Sequence, residues 1–356
     1  MKICIVGAGA IGGFLAAKLA QSGEEVTVVD RGRHLQAIRS VGLHLQMADG
    51  TESVTTNLAV TDRLAEVGTS DLIILAVKAH QIAAVAPGLP AIYGPDTVVL
   101  TVQNGIPWWY FERHGGVLEN TRLRTLDPEG IISRSIPAER VLGCVAYPAA
   151  GVTAPGRIRH VEGNRFPVGE LDGELSMRAA RVADLFNAAG FKSIVLGDIR
   201  SEIWLKAWGA LSFNPISALT QATMLDICSF AETRVLVASM MAETQVIAEK
   251  LGISFRHTIE RRITGAAGVG AHKTSMLQDL LAGRSLEIDG VIGVIVELGR
   301  LTKTQCPSVD AIYACVKLLD QMLQRASRSS PVVATGHKRV GESREDASQA
   351  ISPEEA

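Results

Sequence analysis

The glycine-rich segment at the N-terminus constrains the fold more than any other stretch. Residues 3–6 are apolar and β-prone, which predicts a short buried strand, and residues 15–21 continue with helical character. Between them, Gly7, Gly9 and Gly12 stand at the spacing G-x-G-x-x-G. The first glycine permits a tight turn, the second lets the backbone approach a pyrophosphate, and the third lets helix and strand pack closely. The pattern therefore predicts a strand–turn–helix unit that binds a dinucleotide.

The residues after the second strand bear on which dinucleotide binds. Residues 25–30 predict a strand that ends in Asp30, 23 residues after Gly7, where a ribose-binding carboxylate is expected. A carboxylate favours NAD, because it accepts a hydrogen bond from the ribose 2′-hydroxyl and repels a 2′-phosphate. Arg31 and Arg33 favour NADP, because an arginine accommodates that phosphate. The residue types alone favour NADP slightly and leave NAD open.

Length and composition limit the class of protein. The chain has 356 residues, enough for two domains, and its 47% apolar residues can build a sizeable core. Only 4% of residues are aromatic and the formal net charge is −2, so no nucleic-acid partner is expected. No apolar run could span a membrane and no signal peptide is recognisable, which predicts a cytoplasmic protein with no membrane partner. The five cysteines form no C-x-x-C pair, and no metal site is predicted.

Strand patterns alternate with helical patterns through the first part of the chain. Residues 71–77 and 97–102 are nearly continuous apolar runs, typical of strands covered on both faces. This alternation predicts an α/β fold, with a doubly wound parallel sheet of the Rossmann type. Ligands bind such sheets beyond the carboxyl ends of the strands. Lys78, Gln81 and Asn104 follow those ends and are candidates for contact with cofactor or substrate, although ordinary loop polarity would also explain them.

The later part of the first domain has a different pattern. Residues 139–170 contain short runs interrupted by Gly and Pro, which predict antiparallel strands appended to the sheet. A half-exposed strand is also predicted over residues 53–60. His160 could be a catalytic acid, but a single histidine in a strand is more often structural. A strand at residues 193–196 is expected to complete the first domain, residues 1–198.

Only helical patterns follow, which predicts an all-α C-terminal domain over residues 199–326. The predicted helices span residues 202–219, 230–251, 257–264, 292–303 and 310–324. The Ser-rich remainder, residues 327–356, is predicted to be a disordered tail.

A nicotinamide enzyme needs a protein group that exchanges a proton with the substrate oxygen as hydride moves. Lys206 is the main candidate, because it lies between Trp204 and Trp208, where burial would lower its pKa toward the working range. A lysine that extends its ammonium group along an apolar helix to water would have the same sequence context. Asn214 follows two helical turns later, about 12 Å along an ideal axis, which suits the two ends of one small substrate. Further candidates on the helical domain are Ser275, Asp279 and Glu287.

Taken together, these motifs resemble the ketopantoate reductase family over most of residues 1–320. The matching motifs are the glycine-rich start, Val77-Lys78 with Gln81, Gln103-Asn104-Gly105, Pro155-Gly156, Trp204-Leu205-Lys206, Asn214-Pro215, and Ser275-Met-Leu-Gln-Asp279 with Glu287-Ile-Asp289. The last block is the most specific, because residue types and the 12-residue interval from Ser275 to Glu287 both match. The resemblance implies NADPH-dependent reduction of a 2-keto acid, 2-dehydropantoate or a related branched one, as in pantothenate biosynthesis.

The resemblance also implies roles for individual residues. Lys206 corresponds to the family's proton donor, and Glu287 to the acid that orients the lysine and the substrate. The positions that match substrate ligands are Asn104, Asn214 and Ser275. The positions that match cofactor contacts are Gly7, Gly9, Ile11, Gly12, Arg31, Lys78, Gln81 and Asn104. Because Arg31 is among them, the resemblance strengthens the expectation of NADP over NAD.

Two positions depart from the family pattern. Ala210 and Ile292 each stand where the family commonly or often has asparagine. Loss of one substrate hydrogen bond typically costs about 0.5–1.5 kcal/mol of binding free energy. Because Lys206 and Glu287 are kept while these substrate-binding positions differ, the physiological substrate is hypothesised to be another branched 2-keto acid. Two alternatives stay open: another Rossmann/α-helical hydroxyacid dehydrogenase, and a non-catalytic NADP(H)-binding sensor. The sequence also leaves a homodimer open.

Overall fold

The computed structural model describes residues 1–329. The strands in that range are β1 (Lys2–Val6), β2 (Glu25–Val29), β3 (Leu43–Gln46), β4 (Glu52–Thr55), β5 (Ala59–Thr61), β6 (Ser70–Leu75), β7 (Tyr93–Thr101), β8 (Val141–Cys144), β9 (Ala149–Ala154), β10 (Arg157–Glu162) and β11 (Val168–Gly169). The α-helices are α1 (Ala10–Gln21), α2 (Gly32–Val41), α3 (Ile82–Val85), α4 (Ile131–Ser135), α5 (Met177–Ala188), α6 (Ile199–Thr220), α7 (Met224–Ser229), α8 (Ala231–Lys250), α9 (Ile259–Gly268), α10 (Ser275–Leu281), α11 (Val294–Leu301) and α12 (Pro307–Ser329). A π-helical segment, Asp289–Gly293, leads directly into α11.

The main sheet has the strand order β11-β8-β7-β6-β1-β2-β5. All neighbouring strands are parallel except β11 and β8. Successive residues of β1 point to opposite faces, so that Ile3 and Ile5 pack on the side of α1, while Cys4 and Val6 pack on the other. Both faces are covered, which explains the continuous apolar runs. The predicted doubly wound sheet of the Rossmann type is therefore confirmed.

A second sheet covers the outer side of α1. Its strand order is β4-β3-β10-β9, and α1 contacts all four strands. Adjacent glycines allow α1 to lie between the two sheets. A Cβ on Gly12 would lie 2.8 Å from the Cβ of Ala76, which follows β6, and a Cβ on Gly13 would lie 2.7 Å from the Ile158 side chain in β10. Any side chain at either position would push a sheet away from the helix.

Several strand predictions around this second sheet were wrong. The strand expected over residues 53–60 is two strands, β4 in the second sheet and β5 at the edge of the main sheet. Of the strands expected to be antiparallel additions to the main sheet, β8 joins it in parallel and only β11 is antiparallel, while β9 and β10 form a hairpin in the second sheet. At residues 193–196 the structure has an isolated bridge, Val195 to Val168, in place of a strand. Sheet membership depends on partners distant in sequence, which local alternation does not reveal.

His160 is part of this second-sheet packing. It lies in β10, its ring is buried, and it stacks on Phe14 of α1 with 4.7 Å between ring centroids. Its Nε2 lies 2.6 Å from the carbonyl oxygen of Gly163. These contacts favour the structural interpretation over the catalytic one.

The predicted helical C-terminal part is confirmed. Helix α6 is capped by Asp198, whose side chain accepts a hydrogen bond from the Ser201 amide, and it continues through Pro215. Helices α7 and α10 were missed, because fewer than eight residues give too little periodicity to recognise. Helix α12 runs to Ser329, so residues 327–329 are helical where a disordered tail was predicted. The rest of that prediction, residues 330–356, lies outside the described residues.

One hydrophobic core continues from the main sheet into the helices. It contains Cys4 and Val6 of β1 together with Trp204 and Trp208 of α6. The Trp204 indole N–H donates to the Tyr110 hydroxyl at 2.8 Å. This packing fixes α6, and Lys206 on it, beside the carboxyl end of the sheet. None of the helices in the described part of the chain combines the length and apolarity needed to cross a membrane.

Candidate functional site

The glycine-rich loop is closed by backbone contacts on one side and open on the other. Gly7 has a φ of +98°, and a Cβ there would lie 2.8 Å from Val77 Cγ1. A Cβ on Gly12 would lie 1.8 Å from the carbonyl oxygen of Gly7. At Gly9 a Cβ would meet nothing within 4 Å. The open side, next to the unpaired amides that begin α1, fits a pyrophosphate that approaches the backbone closely.

Asp30 supports this loop with both oxygens of its carboxylate. Its Oδ2 accepts a hydrogen bond from the Ala8 amide at 2.7 Å, and its Oδ1 accepts one from the Arg31 amide at 2.6 Å. The side chains of Arg31 and Arg33 are exposed, and neither has an ion-pair partner within residues 1–329. The carboxylate is therefore engaged with the loop, while two guanidinium groups beside it are available to an anion.

His34 also supports the loop, and sequence reasoning missed it. The Gly156 amide donates to His34 Nδ1 at 3.0 Å, which leaves the ring proton on Nε2. Nε2 then donates to the carbonyl oxygen of Ala8 at 2.7 Å. Gly156 belongs to the Pro155-Gly156 motif, whose contribution in the structure is this link between the glycine-rich loop and the second sheet.

Lys206 lies where α6 meets the carboxyl ends of two strands of the main sheet. Its ammonium group donates to Asn104 Oδ1 at 2.7 Å, after β7, and to the carbonyl oxygen of Ala146, after β8. Burial lowers the pKa of Lys206 to about 8, although the nearby Cys144 and Glu287 favour its charged form. The ammonium group is therefore inside the cleft rather than extended to water, and the structure brings it together with Asn104.

Glu287 reaches the same cleft from the segment before the π-helix. The Ala79 amide donates to its Oε1 at 3.1 Å, and burial raises its pKa above the ordinary value. Lys78 and Lys206 act against that rise, since cations favour the carboxylate. Within the described residues no direct hydrogen bond joins Glu287 and Lys206, so the two groups interact through space.

Lys78 connects the sheet with the helical part. Its ammonium group pairs with Asp279 Oδ2 at 2.5 Å and donates to the carbonyl oxygen of Ser285 at 2.9 Å. Asp279 also pairs with Arg284 at 2.8 Å. Gln81 Oε1 accepts the Lys78 amide at 3.1 Å and so fixes the start of this turn. The cofactor contact of Lys78 stays a prediction, and its ion pair with Asp279 is an interaction that sequence reasoning missed.

The turn that carries Asn104 is packed against the π-helical segment. Gly105 has a φ of +81°, and a Cβ there would lie 1.8 Å from the carbonyl oxygen of Gly290. The Ile106 amide donates to that same oxygen at 3.2 Å. Only glycine fits at position 105, so the Gln103-Asn104-Gly105 motif holds Asn104 in position as well as supplying its amide.

The predicted substrate ligands Asn214 and Ser275 are also brought together. Asn214 Nδ2 donates to the Ser275 hydroxyl at 3.3 Å, between α6 and the first residue of α10. Asn214 and Ala210 both line a cavity of about 210 Å³. Ile292, in contrast, is fully buried in the core. Of the two departures from the family pattern, Ala210 therefore borders open space, and Ile292 is a packing residue.

Two family models match the N-terminal and the C-terminal parts of the chain separately. A family model described as ketopantoate reductase PanE/ApbA matches residues 3–173, and the model of its C-terminal part matches residues 198–320. A protein named 2-dehydropantoate 2-reductase from Mesorhizobium japonicum is 50% identical over 90% of this chain and 98% of its own length.

Two solved structures are similar over nearly their whole lengths. One is a provisionally named ketopantoate reductase from Ralstonia solanacearum, which is 38% identical with a TM-score of 0.86 and covers 90% of this chain and 98% of its own. The other is a D-mandelate dehydrogenase in complex with NADH and anilino(oxo)acetate, which is 26% identical with a TM-score of 0.78 and covers 91% of this chain and all of its own.

Proposed function

Because the chain belongs to the ketopantoate reductase family, we propose that it uses NADPH to reduce 2-dehydropantoate, or a related branched 2-keto acid, to the 2-hydroxy acid, as in pantothenate biosynthesis. The observation that carries this proposal is the Lys206 ammonium group, held by Asn104 at the carboxyl end of the parallel sheet. The name of the Mesorhizobium relative supports the substrate, and the ligands of the D-mandelate dehydrogenase support a nicotinamide and a 2-oxo acid in one site.

In this proposal, the bound nicotinamide supplies the hydride that reaches the keto carbon. Lys206 donates the proton to the oxygen of the same carbonyl group. A pKa of about 8 keeps most of Lys206 protonated at neutral pH, and the loss of solvation makes its proton easier to release than that of a surface lysine. Asn104 holds the ammonium group, and Glu287 provides the nearby negative charge that favours its protonated form.

For the substrate, we assign the polar contacts to Asn104, Asn214 and Ser275. The Asn214–Ser275 hydrogen bond is long, at 3.3 Å, so both groups can turn toward a substrate at little cost. The proposed domain division follows from this assignment. Residues 1–198 bind the dinucleotide, residues 199–326 supply the proton donor, and the reaction occurs between them.

For the cofactor, we assign contacts to the loop residues, to Arg31 and to the turn before α3. The assigned positions are Gly7, Gly9, Ile11, Gly12, Arg31, Lys78, Gln81 and Asn104. Arg31 and Arg33 support NADPH over NADH, because their exposed guanidinium groups have no ion-pair partner within residues 1–329 and can bind a 2′-phosphate. Arg31→Ala should therefore raise the KM for NADPH at least about tenfold and leave the KM for NADH within about twofold.

A substrate panel run with both cofactors tests the proposed reaction. The purified chain should oxidise NADPH with 2-dehydropantoate or 3-methyl-2-oxobutanoate, and more slowly with phenylglyoxylate, the keto acid that corresponds to mandelate. Efficient reduction of 2-dehydropantoate with the other acids ignored would reject the altered-substrate hypothesis. Absence of turnover with every keto acid and both cofactors would reject the enzyme and favour the sensor. A homodimer remains a prediction, which analytical ultracentrifugation can test. The cytoplasmic location also remains a prediction.

A further inference from the structure

The cavity beside α6 contains a guanidinium group that none of the roles above uses. Its lining includes Gly209, Ala210, Phe213 and Asn214 of α6, Met224 of α7 and Arg262 of α9. Its volume is about 210 Å³, several times the space that one water molecule needs. It therefore has room for a small organic molecule, with apolar walls and one cationic residue.

Arg262 is partly buried and has no counter-ion. The one hydrogen bond that its guanidinium group makes within residues 1–329 is weak, from Nη2 to the carbonyl oxygen of Leu205 at 3.4 Å. No carboxylate of the described chain lies within ion-pair distance of it. Burial lowers the pKa of Arg262, yet an arginine stays charged at any working pH. A partly desolvated cation without a partner is costly, so an anion in the cavity would be stabilised strongly.

The helix opposite Arg262 is shaped to admit it. A Cβ on Gly209 would lie 2.9 Å from Arg262 Nη2, so any larger residue there would displace the guanidinium group. Glycine is less favourable than alanine inside a helix, and this contact gives a structural reason for a glycine here. Ala210, the next residue, adds only a methyl group to the lining. The small pair therefore leaves Arg262 exposed to the cavity rather than covered by α6.

This cavity adjoins the site of the proposed chemistry. Ala210 lies one helical turn, about 6 Å of rise, after Lys206, and Asn214 lies one turn further. Leu205, whose carbonyl accepts the Arg262 bond, directly precedes Lys206. A 2-keto acid carries its carboxylate on the carbon next to the carbonyl group, so a substrate protonated by Lys206 brings a carboxylate close to this wall.

From these observations we infer that Arg262 binds the carboxylate of the 2-keto acid, with Asn214 beside it and Phe213 and Met224 against the alkyl part. The inference rests on the proposed function for its substrate. It adds a specificity-determining residue on α9, a helix to which neither the sequence motifs nor the proposed mechanism gave a role.

Binding of an inert pair of ligands tests this role without turnover. Oxamate carries one carboxylate and oxamide is its neutral counterpart, and both can be titrated calorimetrically into the NADPH-loaded full chain. Arg262→Gln should weaken oxamate binding about 10- to 100-fold and leave any oxamide binding within about twofold. Arg262→Lys should restore part of the oxamate affinity, because it keeps the charge but loses the planar fork.

The matched control is Arg261→Gln, which removes the same charge from the exposed neighbour on the same helix. It should leave oxamate binding within about twofold. Equal losses in the two variants, or equal losses of oxamate and oxamide in Arg262→Gln, would overturn the inference. Ala210→Leu gives a second route should Arg262→Gln fold poorly, since it adds three carbon atoms to the lining beside Arg262 and leaves the guanidinium group in the chain. It should weaken oxamate binding about tenfold or more, and unchanged binding would contradict the assignment.

Kinetics then separate this inference from the proposed function. If the wild-type chain reduces 2-dehydropantoate, Arg262→Gln should raise the KM for the keto acid about 10- to 100-fold and change kcat less. A fall in kcat with an unchanged KM would contradict the role. If the wild-type chain reduces no keto acid, the proposed function fails, while the oxamate titration still decides whether Arg262 binds a carboxylate.

Discussion

The glycine-rich loop and the Lys206 cleft are built in opposite ways. The loop consists of consecutive residues and depends on the absence of side chains, since a Cβ on Gly12 would lie 1.8 Å from a backbone oxygen. The cleft depends on the presence of side chains from Asn104, Lys206 and Glu287, which are far apart in sequence and belong to different elements. Substitutions in the loop should therefore act through steric clashes, and substitutions in the cleft through the loss of charged or hydrogen-bonding groups.

The largest expected effect is that of removing the Lys206 ammonium group from the cleft. Lys206→Ala should lower kcat by about 10²- to 10⁴-fold, because it removes the proposed general acid. The Kd for NADPH, measured by fluorescence titration, should stay within about threefold, since the cofactor contacts are assigned to the other region. Lys192→Ala, at an exposed lysine, should change neither quantity. Unchanged turnover in Lys206→Ala would remove the lysine from the mechanism.

In the loop, alanine substitutions at Gly9 and Gly12 should have different effects. Gly12→Ala should cost about 3 kcal/mol of unfolding free energy, because its Cβ meets the Gly7 carbonyl and the Ala76 side chain. Gly9→Ala should cost at most about 1 kcal/mol, since its Cβ enters open space, yet weaken NADPH binding about tenfold or more. Denaturant unfolding and NADPH titration separate the two quantities. Similar unfolding midpoints for both variants would mean that the loop is not fixed by shape.

The smallest expected effect is that of removing the ion pair between Lys78 and Asp279, which connects the sheet with the helical part. Lys78→Met should cost about 1 kcal/mol of unfolding free energy, because the Lys78–Asp279 pair is partly exposed and Asp279 keeps Arg284. Arg63→Met, in a more exposed pair with Glu66, should cost less than about 0.5 kcal/mol. Equal losses in the two variants, measured by denaturant unfolding, would show that the bridge adds nothing beyond a surface ion pair.

The two regions also differ in how far the sequence predicts them. The loop follows from spacing, because Gly7, Gly9 and Gly12 act on neighbours a few residues away. The orientation of Asp30 cannot be predicted in this way, since its hydrogen bonds from the Ala8 and Arg31 amides form only in the folded loop. A local pattern places a carboxylate at this position but does not specify which donors it accepts hydrogen bonds from.

In the cleft, residue types indicated Lys206 and Asn104, and their mutual hydrogen bond appears only in the fold. The Ala146 carbonyl that also accepts from Lys206 has no sequence signal, because every residue carries a carbonyl group. The second sheet was missed for a related reason. Its parallel pairing of β3 with β10 joins segments more than a hundred residues apart, and alternation within one strand does not specify its partner.

The pH dependence of kcat/KM for the keto acid, measured at saturating NADPH from about pH 6 to about pH 10, tests the central role of Lys206 most directly. A proton donor must be protonated, so kcat/KM should be level below a pKa of about 8 and fall about tenfold per pH unit above it. In Glu287→Gln the fall should begin at lower pH, because the lost negative charge no longer favours the ammonium form. A level profile to pH 10 in the wild-type chain would contradict the assignment of Lys206 as the proton donor.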